Sequence, residues 1–263
     1  MELFENAFEK STIYECLFFN IKSVTSYSDI SELESNQPEL YKKWKLIAKT
    51  KYGFDDEKDY TATLDSIYKS KAILYPEFSK IVAITYATIE SSGDKLKRNF
   101  KKIVDDNEFE VIKSFQQVLL QISSDGVKST PQYFPTLCGH GIINNDIPLF
   151  IKKLFAYRNN FENKNDLLPY ILKVYLKAKP WEANIIDILN LWKFNGIGNS
   201  SLSVISDFLN LKKNMEILET GELSEYYWNN INSDRDGTLE NIALQSANHT
   251  NLAIQFMNEL RSL

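Results

Sequence analysis

The chain has 263 residues, 43% hydrophobic and 13% aromatic, with only 9 glycines and 7 prolines, which excludes a disordered or fibrous polymer and leaves ample material for a core. A formal net charge of −5 argues against a generally basic nucleic-acid-binding surface. The opening MELFENAFEK is acidic and lacks an apolar h-region, and no run of about 18 apolar residues follows, so neither secretion nor membrane insertion is signalled and the expected setting is the cytoplasm or an intracellular phage or mobile-element environment.

Along the chain, residues 14–24, ending in CLFFNIKSV, predict a buried strand that carries Asn20 and Lys22 on one face, two residues apart. A polar segment follows, and Leu40, Trp44 and Ile47 then recur at helical spacing. KIVAITYATIE (80–90) is rich in β-branched residues and predicts a strand, paired across Ser91-Ser92-Gly93-Asp94 with a second strand over 96–104. Residues 107–123 place Phe109, Ile112, Phe115 or Gln116, and Leu119 on one helical face, with Asp106 or Asn107 as the cap. YFPTLCGHG predicts a short buried strand, and DIPLFIKKLFAYRN a helix opening at Asp146 with Pro148 in its first turn. From 160 onward the chain reads as mainly helical, including 200–210, 220–231 and 238–262. No Pro/Gly/Ser-rich linker divides it, so 1–263 is expected to form a single α/β domain, a sheet covered by helices with a helical C-terminal half.

Several weaker signals are read structurally. Cys16 and Cys138 lie in apolar strand-like runs and are expected to be reduced, buried hydrophobes. KLKRNFKK (95–102) holds five cations, Lys95, Lys97, Arg98, Lys101 and Lys102; it suits the solvated face of an edge strand, and is the best candidate for nucleic-acid contact. Asn232-Ser-Asp234-Arg-Asp236-Gly237 begins like a calcium loop, but its twelfth position is Ala243, so a turn capping the last helix is expected. Gly196-Ile-Gly198 lacks the third glycine of a dinucleotide fingerprint. Tyr226, Tyr227 and Trp228 are expected to pack a helix, although such a triplet can also stack on bases.

Four separated segments, LFFNIKSV, AILYPEFSKIVAITYA (72–87), LCGHGIINNDIPLFIKKL (137–154) and KPWEANIIDILNLWKFNGIGNSSLSVISDFLNL (179–211), together resemble the predicted 3′–5′ exonucleases related to the exonuclease domain of family-B DNA polymerases, in the ribonuclease H-like DEDD superfamily. The resemblance continues through EYYWNNI into the terminal helix. It implies a ribonuclease H-like mixed central sheet flanked by helices, and hydrolysis of phosphodiesters by two Mg2+ or Mn2+ ions held on clustered carboxylates.

The family's ligands come as Asp-x-Glu at the first strand, an Asp opening a helix, and an Asp in the terminal helix. Here Asp-Ile-Glu aligns with Asn20-Ile21-Lys22, where Asn offers one neutral oxygen and Lys no acceptor. Asp146 persists in the second motif, with Gly141 and Asn145 in place of the family's Asn and aromatic. The third-motif Asp falls on Asn248, or on His249 if the register moves by one. Three of four carboxylates are lost, so the resemblance implies a degenerate exonuclease without catalytic residues, metal or cofactor, acting as a binding or structural component for DNA or a protein partner. Lys22 is expected beside Asp146, as an ion pair filling the vacated site. Asp187 matches a family position outside the metal ligands and is expected to be structural, as is His140. The alternative is an active metal-dependent 3′–5′ exonuclease using carboxylates such as Asp187, Glu222 or Glu225.

Overall fold

The computed structural model describes residues 12–55, 61–92, 95–129, 135–177, 185–193 and 200–261. Residues 93 and 94 of the expected turn, Gly196 and Gly198, and the side chain of Lys95 lie outside the described residues. The strands are β1 (Cys16–Thr25), β2 (Ser79–Ser92), β3 (Lys95–Val104), β4 (Thr136–Gly139) and β5 (Ile185–Asp187), joined in one sheet in the order β3-β2-β1-β4-β5. β1 pairs antiparallel with β2 and parallel with β4; β2–β3 is antiparallel and β4–β5 parallel. The result is an α/β fold built on a mixed five-stranded sheet.

The period-2 pattern of β1 sorts its side chains between two helical layers. Leu17, Phe19 and Ile21 enter a core with α4 (Glu108–Ser129), α5 (Asp146–Ala156) and α6 (Tyr170–Lys177). Cys16 and Phe18 face the other side, against the short α7 (Ile188–Lys193), α8 (Leu202–Phe208) and the long terminal α10 (Arg235–Arg261). Val24 meets α9 (Thr220–Asn230). Between β1 and β2 the chain forms α1 (Ile30–Asn36), α2 (Pro38–Tyr52) and α3 (Thr61–Lys71), whose cluster centres on the fully buried Trp44 ringed by Tyr68, Tyr75 and Phe78.

The start of the first strand is corrected, and one short strand is added within the mainly helical region after 160. Strand structure begins at Cys16 after a 3-10 turn over Thr12–Glu15. The region after 160 contributes β5, whose three residues are too few to show a period, yet they complete a parallel ladder with β4 through Leu137↔Ile185 and Cys138↔Ile186.

Local chemistry sets several element ends. The Asn107 side chain accepts from the Phe109 N–H at the start of α4, and Asp234 accepts from the Gly237 N–H at the start of α10, which makes the calcium-like segment a cap. A buried cluster joins the two helices of one layer to the sheet. Glu108 accepts from the Ile81 N–H at 2.7 Å, pairs with Lys153 at 3.0 Å, and receives the Tyr157 hydroxyl at 2.9 Å. Tyr227 and Trp228 pack inward, the indole N–H donating to the Thr25 carbonyl at 3.1 Å. Both cysteines are buried and neither is disulfide-bonded.

Candidate functional site

Asn20 and Lys22 project from one face of the central strand, beside a register shift between Lys22 and Ser23. Such bulges re-aim side chains. On this face β1 meets the middle of α10, and the contact replaces part of the sheet's own bonding. The Ser246 hydroxyl donates to the Asn20 carbonyl at 3.0 Å and accepts from the Thr85 N–H at 3.1 Å, although Asn20 and Thr85 are register partners. Pinned at Ser246, α10 brings His249, one turn on, over Lys22.

The Lys22 ammonium lies 3.1 and 3.3 Å from the two ring nitrogens of His249. Nδ1 of His249 is also 3.1 Å from the Gln245 carbonyl. That carbonyl can only accept, so Nδ1 carries the proton and Nε2 is the ring nitrogen able to accept from Lys22. Burial, then the Lys22 charge, push the His249 pKa well below its ordinary value, consistent with a neutral acceptor. Burial lowers Lys22 from 10.5 to about 8, against the opposing pull of Asp146 and Glu219.

Asp146 does not pair directly with Lys22, which corrects the expected ion pair. Its carboxylate accepts from the Ile21 backbone N–H at 3.1 Å. The reason lies in the sheet. β4 pairs with β1 only along Cys16–Phe18, so the next amide on that edge needs a partner, and the first residue of α5 provides it. Burial raises the Asp146 pKa to about 7, with the Ile21 bond and the Lys22 charge acting against the rise.

Of the two adjacent α10 candidates, Asn248 and His249, one faces Lys22. Asn248 is buried but turned away, accepting from the Asn214 N–H at 3.0 Å and donating to the Met215 carbonyl at 3.1 Å. His249 is the residue of that pair which faces the site. Asp187 is structural, its carboxylate accepting from the backbone N–H groups of Gly141 at 2.7 Å, Ile143 at 3.0 Å and Leu189 at 3.0 Å. This clamp holds the Gly139-His140-Gly141 turn, where a Cβ on Gly139 would lie 2.7 Å from the Phe19 carbonyl and Gly141 adopts φ of 71°. His140 is 3.0 Å from the Ser200 carbonyl through Nε2.

The other candidates lie apart from this cluster. Glu222 closes the capping box of α9 with Glu219, and Glu225 lines a cavity of about 630 Å³ together with Thr25, Asp29, Asp65, Lys69 and Trp228. In the basic segment on edge strand β3, Lys97 pairs with Glu90 at 3.2 Å, Lys102 with Glu240 at 2.5 Å, and Arg98 donates to Asn251 at 2.7 Å, while Lys101 is exposed. Sequence reasoning does not single out Ser246 or Gln245. The available signal is QSANHTN (245–251), six polar residues in seven, which wrap every face of a helix so that some must be buried.

Comparison with protein-family models, curated proteins and solved structures finds no match.

Proposed function

We propose that the chain is a catalytically silent protein of the ribonuclease H-like 3′–5′ exonuclease type, which acts by binding a nucleic-acid or protein partner and not by hydrolysis. The observation that carries the reading is the convergence of three distant segments, β1, the start of α5 and α10, on a buried lysine. These are the segments from which the resembled family draws its carboxylates, and here they present Asn20, Lys22, Asp146 and His249. The mixed sheet with β1 at its centre supports the fold type. So does Gly141, because the left-handed backbone it adopts is one that the family's Asn also tolerates.

The donor set does not fit two divalent ions. Hard cations require several oxygens, and this cluster offers one carboxylate committed to an amide, one neutral amide, one imidazole set against the lysine, and an ammonium. Among the described residues no three His, Cys, Asp or Glu side chains lie close enough to share an ion. An ammonium within a few ångströms of a divalent ion would cost several kcal/mol in a partly desolvated site.

The test is incubation of purified protein with end-labelled single- and double-stranded DNA in Mg2+ or Mn2+. No 3′ degradation is expected. Processive degradation that survives purification and disappears in Asp146→Ala would overturn the reading. Anisotropy with single-stranded DNA separates the partner classes. Weak binding at moderate salt is expected, since Lys97, Arg98 and Lys102 are engaged within the chain; tight, steeply salt-dependent binding lost on neutralising Lys97 and Arg98 would select nucleic acid.

A further inference from the structure

We infer that the face of β1 carrying Asn20 and Lys22 is a metal-independent site for a phosphate-type oxyanion, with the Lys22 ammonium as its counter-charge. Lys22 is 9% exposed, and the partner its ammonium finds is His249, which consumes one of three N–H donors. Among the described residues no carboxylate forms an ion pair with it, and Asp146, the opposing charge that acts on it most strongly, ahead of Glu219, is committed to the Ile21 amide. Proteins rarely bury a charge without pairing it, because the penalty is several kcal/mol. Beyond His249, no protein acceptor among the described residues meets the remaining ammonium donors, and an anion is the partner that would also supply the missing counter-charge.

A second deficit lies on the same face, about 7 Å along the strand by the two-residue rise. The Oδ1 atom of Asn20 is buried without a hydrogen-bond partner. Buried acceptors of this kind are exceptions in folded proteins. The two deficits define the ligand: negative charge, at least two acceptor oxygens for the ammonium, and one donor for the amide oxygen. Hydrogen phosphate, dihydrogen phosphate and a phosphomonoester monoanion carry all three, through P–O⁻ and P–OH groups. Sulfate and carboxylates at neutral pH carry no donor. Asn20, His140 and His249 are each partly exposed around Lys22, so the site has a solvent-facing rim.

The experiment is calorimetric titration and thermal melting of the intact chain in EDTA at pH 7, with inorganic phosphate, sulfate and chloride at matched ionic strength. Phosphate is expected to bind saturably and raise Tm, and sulfate to bind about tenfold more weakly or not at all, since it leaves Asn20 unpaired. Lys22→Met should lower phosphate affinity by at least about tenfold, the loss of a charge-assisted pair. Asn20→Leu should retain binding while erasing the preference over sulfate. An oligonucleotide bearing a terminal phosphate, compared with its hydroxyl-terminated twin, identifies the source: tighter binding of the phosphorylated strand assigns a nucleic-acid end, and equal binding assigns free phosphate. No saturable effect up to about 50 mM phosphate, beyond which ionic screening alone dominates, would overturn the inference, as would an equal effect in Lys22→Met or with sulfate. Because EDTA removes divalent ions, this outcome is independent of the nuclease assay, and either proposal can fail alone.

Discussion

Replacing Lys22 with Met should make the protein more stable at neutral pH. Desolvation dominates the lowering of its pKa from 10.5 to about 8, and that displacement corresponds to about 3 kcal/mol of preference for the neutral amine. Met keeps the length of the side chain and removes the charge. It also leaves Nε2 of His249 without its donor, at about 1 kcal/mol, so the net gain at pH 7 should be about 2 kcal/mol, or about 4–8 °C in Tm for a chain of this size. The pH dependence follows from linkage. Below about 8 both folded and unfolded chains hold the proton and the wild type carries the full cost. Between about 8 and 10.5 the folded chain is neutral while the unfolded chain is protonated, so wild-type stability rises with pH. Above 10.5 the cost is gone and only the lost hydrogen bond remains, leaving the variant slightly the less stable. Urea unfolding of both proteins at pH 7, 9 and 10.5 in phosphate-free buffer measures this. A variant destabilised at pH 7, or a gain independent of pH, would show that the ammonium is compensated within the protein and would refute the reasoning.

Asp187→Ala should cost about 3 kcal/mol, because it strands two buried amides and a third that is partly buried; chemical denaturation reads it, and a loss under about 1 kcal/mol would mean that water replaces the clamp. Lys153→Met should cost about 3–5 kcal/mol by removing the cation paired with the buried Glu108, while Lys153→Met with Glu108→Gln should recover a large part of that in a double-mutant cycle; additive losses would contradict the coupling. Introducing carboxylates with Asn20→Asp, Lys22→Glu and His249→Asp should crowd three new acids around Asp146, lower the melting temperature without metal, and introduce a Mn2+-dependent rise absent from wild type. The same triple built on Asn248 should gain no such rise, because that side chain faces Asn214 and Met215.

Much of the architecture is legible from local pattern. The apolar run of β1, the β-branched run of β2 and its lysine-rich partner, and the stripe of Ile112, Phe115 and Leu119 on α4 each repeat at a period long enough to declare strand or helix, since one buried face per element imposes that period. β5 is different. Its three residues are a strand because β4 offers them an open parallel edge, and that condition exists only once the sheet has formed. At the site, the sequence by itself determined which side chains are presented: Asn20 and Lys22 occupy one face of a buried strand whatever surrounds them. Which residue of α10 meets Lys22 was decided by tertiary structure, because adjacent positions on a helix point about 100° apart and the Ser246 bridge between Asn20 and Thr85 sets the rotation that turns His249 inward and Asn248 away. The partner of Asp146 was decided the same way, by the end of β4 leaving the Ile21 amide to be satisfied. A hydrogen bond between residues 125 or 227 positions apart depends on the docking of whole elements, and no local period encodes it.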